Sequence, residues 1–210
     1  MFTKTLLPDT VRAIKLVSKI PAVKKSCLAG DIALALQLGH RISVDLDFFT
    51  QTDFDEKILE RDLLAFPEFN EDGLSWKTIW GKIGKTKFSL FYYKYPLLDP
   101  TVEFSGIQIA STKDIAAMKI QALGDRGTKR DFVDLYFLSK IYSMDQMLNF
   151  YNQKYGDLKE KLYHLLRSFD YFEDAEKDPM PNLINDLSWN KAKEYFHNQT
   201  IILSKTKLGI

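Results

Sequence analysis

The stretch SVDLDFF sets two aspartates, Asp45 and Asp47, at alternate positions. In a strand both carboxylates point to one face while Val44, Leu46 and Phe48 take the other. Aspartate is depleted in strands, so two on one face need a reason. Two reasons compete. One is a solvated outer face. The other is a divalent cation, because Mg²⁺ is held by one or two carboxylates together with substrate phosphates. A D-x-D pattern alone is too short to separate them.

The residues just upstream, LAGDIALALQLGHRI, add a second chemical feature. An apolar run turns at Gly30 straight into a short helix. A helix start preceded by glycine presents free backbone N–H groups and a positive dipole end, which suits phosphate. Asp31 comes next. The dipole favours an acid there, yet the same carboxylate would repel a phosphate. That repulsion costs about 1 kcal/mol in water and several times more at lower dielectric. His40 and Arg41 follow the C-terminal end of this helix, where cations are favourable.

A second polar block reads STKDIAAMKIQALGDRGTKRDFVDLYFL. Lys119 falls within the apolar stripe Ile115, Met118, Ala122. Its ammonium either snorkels to water or projects into a cleft as a point charge for phosphate. Asp131 and Asp134 occupy the first turn of a helix, where the dipole alone accounts for acids. Arg126, Lys129 and Arg130 form a small basic loop, either solvated or set against a nucleic-acid backbone.

These residues need elements to position them. Apolar spacing predicts a helix over 9–20, ended by Pro21. Residues 31–38 form a short helix stopped by Gly39, 43–49 a strand, and 53–66 a helix closed by Pro67. Strand-like runs cover 74–80, 86–93 and 102–110, the last interrupted at Ser105-Gly106. From Ser111 the pattern turns helical. Ser111 with Asp114 and Thr128 with Asp131 suggest capping boxes for helices over 112–124 and 129–141. Ser143 with Gln146 opens another, and two more cover 157–169 and 189–197. A mixed-sheet region over 1–110 followed by a helical region over 111–210 is α+β logic.

Composition bounds the rest. With 210 residues, 45% hydrophobic and 13% aromatic, the chain can bury a real core without staples. The lone cysteine, Cys27, forms no internal disulfide and fits a reducing cytoplasm. The N-terminus lacks the apolar core and small-residue cleavage site of a signal peptide, and no run is long enough to cross a bilayer. A formal net charge of +1 leaves any nucleic-acid contact to a local basic patch.

Taken together, LAGDIALALQLGHRISVDLDFF closely resembles the first motif of the AbiEii/AbiGii toxin family. Those proteins are nucleotidyltransferases of the polymerase-β-like superfamily, whose signature is Gly-[Gly/Ser], a helix, then Asp-x-Asp on a strand. Gly30 matches the first glycine, Asp45 and Asp47 the metal carboxylates, and His40-Arg41 the His-Arg before that strand. The second block resembles the family's downstream lysine and KDxxDLYFL-type helix. The two blocks and the segment between them span residues 27–138.

The resemblance implies a polymerase-β-like α+β domain with a helical C-terminal region. It implies Mg²⁺ on Asp45 and Asp47, Lys119 against triphosphate, and Asp131 completing the site as a base. Gly30, Asp31, His40, Arg41, Ser43, Arg126, Lys129 and Arg130 would surround the nucleotide. The activity implied is transfer from an NTP to an RNA 3′ end, such as that of tRNA, by a cytoplasmic toxin with a cognate antitoxin in a phage-defence pair.

Two positions depart from that pattern. Asp31 stands where the family has a second glycine or a serine. The superfamily's third carboxylate is expected on KTKFSLFYY, which offers Ser89 instead, with Glu103 the substitute if the next strand folds back. These departures motivate an alternative, a degenerate member that binds a nucleotide or a protein without catalysis.

Overall fold

In a computed structural model, residues 1–209 are described and fall into two compact units, Met1–Ser111 and Thr112 onward. Unit one opens with α1 (Pro8–Val17), started by a proline whose missing N–H costs nothing at that position. Thr10, Ala13, Ile14 and Val17 form its buried face. The short α2 (Pro21–Lys24) leads into β1 (Cys27–Ala29), α3 (Gly30–Leu38) and β2 (Asp45–Thr50). Gly39, at φ +69°, ends α3 in the left-handed conformation that closes helices, its N–H donating to the Ala35 carbonyl.

Next come α4 (Glu56–Leu64), β3 (Phe69–Ser75), β4 (Thr78–Ile83), β5 (Thr86–Tyr92), β6 (Val102–Phe104) and β7 (Ile107–Ile109). The strands make one sheet in the order β3-β4-β5-β2-β1-β7-β6. The β2–β5 and β1–β7 pairs are parallel and the rest antiparallel. Strand β2 alternates strictly. Leu46 and Phe48 are fully buried, and Phe48 packs on Phe88 of β5 at 5.8 Å between ring centroids. Asp45 and Asp47 lie on the opposite, half-buried face.

One expected strand divides. Residues 74–80 are not a single strand but the end of β3, a tight turn and the start of β4. Lys77 takes φ +49° in that turn, held from outside the hairpin. Its N–H donates to Glu56, and its ammonium donates to the Phe54 carbonyl and pairs with Asp53. The Ser105-Gly106 interruption is also a turn, with positive φ at both residues and β6 folded back on β7.

Unit two contains α5 (Thr112–Asp125), α6 (Lys129–Leu138), α7 (Met144–Tyr155), α8 (Leu158–Phe169), α9 (Glu173–Glu176) and α10 (Trp189–Leu203). Ser143 and Gln146 make the reciprocal capping box at the start of α7. Phe132 centres an aromatic cluster with Phe172, Trp189 and Phe196 at 5.0–5.6 Å. Among the described residues no helix is long and apolar enough to cross a membrane. The architecture is α+β, a mixed seven-stranded sheet plus helices.

Candidate active site

Strand pairing assembles the first group of polar residues. Ala29 of β1 is in register with Asp47 of β2, and Asp47 with Ser89 of β5. The Gly30 turn therefore sits beside the Asp47 carboxylate. A Cβ at Gly30 would lie 3.5 Å from Asp47 Oδ2. That is ordinary contact, so space alone does not demand glycine; the backbone does, at φ +68°. The Ser89 hydroxyl donates a short hydrogen bond to Asp47 Oδ1. Ser89 thus occupies the position next to the pair where the resemblance implies a third acid.

Glu103 is no substitute for that acid. It sits on β6 at the sheet edge, separated from β2 by β7 and β1, and accepts from the Gly106 N–H of its own hairpin. Among the described residues no group of three or more His, Cys, Asp or Glu gathers as a metal cluster. The donor set at the sheet centre is two carboxylates on one face. Such a pair suits a single Mg²⁺ whose other positions go to phosphate and water.

Asp31 has a partner that spacing did not reveal. Its Oδ2 lies 2.8 Å from Arg41 Nη2, with both side chains almost wholly buried. Arg41 is therefore the counter-charge of Asp31 across α3. Pairing cancels much of the field that Asp31 would exert on an anion at the helix start. His40 is fully buried, and Ser43 is buried where it bridges to Leu6 near the N-terminus.

The second group lies in unit two. Lys119 does not snorkel: its side chain is 4% exposed, and its ammonium meets Asp131 Oδ1 at 2.9 Å and Asp134 Oδ2 at 2.6 Å. Arg126 grips Asp131 with two nitrogens, at 3.0 and 3.3 Å, and the Thr128 hydroxyl donates to it at 2.6 Å. Burial pushes the Asp131 carboxyl up, but Lys119, Arg126 and Thr128 outweigh it and hold the acid well below its ordinary range. So stabilised a carboxylate is a weak proton acceptor near neutral pH, which counts against the role of base expected for it.

The same contacts remove the expected capping box at α6. With the Asp131 carboxylate committed to cations, the Lys129 N–H is capped by Asp178 Oδ2, from 49 residues away. Lys129 is buried, its ammonium donating to the Asp178 carbonyl and lying 5.2 Å from the Trp189 ring centroid. It faces the protein rather than solvent. Arg130 is half-buried. The expected site residues thus form two groups in different units: Gly30, Asp45 and Asp47 with Ser89, and Lys119, Arg126, Asp131 and Asp134.

Comparison with known proteins adds a family to this geometry. Residues 92–200 match the model of the family described as nucleotidyl transferase AbiEii toxin, Type IV TA system. The Asp45/Asp47 strand lies outside that matched stretch. An uncharacterized protein of Aquifex aeolicus (strain VF5) is 34% identical over 175 residues, covering 80% of this chain and 83% of its own. MenT4, a nucleotidyltransferase toxin of Mycobacterium tuberculosis H37Rv, superposes with a TM-score of 0.64. That match has 13% identity and covers 95% of this chain and 84% of MenT4. JHP933 from Helicobacter pylori gives 0.52 at 23% identity, covering 95% and 94%. At such identities the structural likeness speaks to the fold alone.

Proposed function

Because the chain belongs to the AbiEii nucleotidyl transferase toxin family, we propose that it transfers a nucleotidyl group from an NTP to the 3′-hydroxyl of an RNA, tRNA being the leading acceptor. The observation that carries this reading is the Asp45/Asp47 pair on one half-buried face with the Gly30 turn against Asp47. The acceptor oxygen forms a bond to the α-phosphorus, the bond to the bridging oxygen breaks, and pyrophosphate leaves. The hydroxyl proton passes to solvent. Mg²⁺ held by Asp45 and Asp47 would supply charge neutralisation at the reacting phosphate.

The protein's own groups do the positioning. Backbone N–H groups at the start of α3 receive phosphate oxygens. Ser89 fixes the rotamer of Asp47. Arg41 keeps Asp31 from opposing the anion. For the biological setting we propose a cytoplasmic toxin checked by a cognate antitoxin and serving phage defence; the family's description as a Type IV toxin–antitoxin system supports the toxin and antitoxin parts of that reading.

The test incubates purified protein with each α-labelled NTP, Mg²⁺ and total cellular RNA, beside Asp45→Ala. Label on an RNA band with wild type and at least about a hundredfold less with the variant is expected. NTP binding without label in either sample would favour the non-catalytic alternative, for which Ser89 in place of an acid is the motivating observation.

A further inference from the structure

The sheet face bearing Asp45 and Asp47 continues past them over β5 and β4. Strand register gives two transverse rows on it. One runs Ala29, Asp47, Ser89, Trp80; the other runs Asp45, Lys87, Lys82. Trp80 is 40% exposed, and Lys87 and Lys82 are also exposed. Residues between them along the strands, Gly81 and Phe88 among them, are buried on the other side. The indole lies flat across β3 because position 73 has no side chain: a Cβ there would meet the Trp80 ring at 2.2 Å. Gly73 thus turns a bulky outward side chain into an aromatic surface level with the sheet.

We propose that Trp80 and Lys87, with Lys82 beyond them, form the binding platform for the 3′-terminal nucleotides of a single-stranded acceptor RNA. This rests on the transfer reading above and extends it to the acceptor side. In-line displacement requires the attacking hydroxyl and the departing pyrophosphate to lie on opposite sides of the reacting phosphorus. The Gly30 turn flanks Asp47 on the β1 side, so pyrophosphate leaves there and the attacking strand approaches from β5 and β4. Trp80 stands two strands from Asp47, about 10 Å, one or two nucleotides back from the reacting end.

The chemistry of the face selects the occupant. An indole lying flat is a stacking surface for an unpaired base, and lysines beside it match a phosphate backbone. Lys82 shares its charge with Asp72 at 3.7 Å, which leaves Lys87, one strand from Asp45, as the main cation. A duplex keeps its bases inside and would gain only the charge.

The test is fluorescence anisotropy of a labelled, unstructured RNA dodecamer with a free 3′-hydroxyl, titrated with the full chain without NTP. Trp80→Ala should weaken binding roughly tenfold or more, while Trp80→Phe keeps most of it. Lys87→Glu should weaken binding and flatten its salt dependence. Trp76→Ala, at the exposed tip of the same hairpin, should bind as wild type does. Equal affinity for wild type, Trp80→Ala and Lys87→Glu overturns the proposal, as does failure of the wild type to bind the dodecamer. Trp80-dependent binding with no nucleotide transfer would sink the transfer reading and leave the platform standing. Transfer with an acceptor KM indifferent to both variants would do the reverse.

Discussion

Unit one holds two half-buried carboxylates on a sheet face, whereas unit two holds two fully buried carboxylates paired with buried Lys119 and surface Arg126. Both groups descend from acids at short spacing, D-x-D in one and D-x-x-D in the other. They differ in what faces them. Asp45 and Asp47 lie half-buried on the face of a strand whose other face fills the core, and Asp47 accepts from the Ser89 hydroxyl. Asp131 and Asp134 point from α6 toward Lys119 of α5, so their charge is spent inside the protein. An acid pair wholly buried against cations serves as a scaffold, and the half-buried pair is the one we propose takes a ligand.

Removing a buried acid of the unit-two cluster should produce the largest change. Asp131→Ala leaves Lys119 and Arg126 short of a partner and should cost about 3–5 kcal/mol, read as a lower unfolding midpoint. The sign of its pH dependence follows from the depressed acid. Its contribution is complete above the ordinary aspartate range near pH 4 and declines as pH falls below it. The stability gap between wild type and Asp131→Asn should therefore hold from neutral pH to about 4 and narrow in stronger acid. A gap that widened on acidification would break the assignment of an internally balanced cluster.

Asp31→Gly sharpens the contrast within unit one. By sequence it restores the family glycine and should help a triphosphate. By structure it takes a carboxylate from the buried Arg41, which keeps its contact with the Ile42 carbonyl, and should cost about 1.5–3 kcal/mol. The expected outcome is a lower melting temperature without gain in NTP affinity by calorimetry; tighter binding at unchanged stability would contradict it. Gly30→Ala is the smallest of the three. Its methyl finds room beside Asp47, so the left-handed backbone alone sets a cost of about 1–2 kcal/mol. It should weaken NTP binding more than it lowers the melting point.

How far residues alone carried the reading varies by element. The alternation in DLDFFT, Gly39 at the end of α3, and Ser143 with Gln146 at the start of α7 are local patterns, and the structure has the elements they predict. The split of 74–80 into a hairpin is not local, because distant groups on Asp53, Phe54 and Glu56 hold Lys77 in its turn. Residue spacing does not mark Trp80 as a surface for the same reason. Only strand register puts it level with Asp47, and only Gly73 lets it lie flat.

The sequence by itself determined the α+β order, the shared face of Asp45 and Asp47, and the glycine turn ahead of them. Those follow from periodicity and backbone sterics within a few residues. Tertiary structure alone decided which charges are spent. Asp31 meets Arg41, Lys119 meets Asp131 and Asp134, and Asp178 rather than Asp131 caps α6. An ion pair is a matter of ångströms between side chains on different elements, and residue spacing along one chain does not encode that distance.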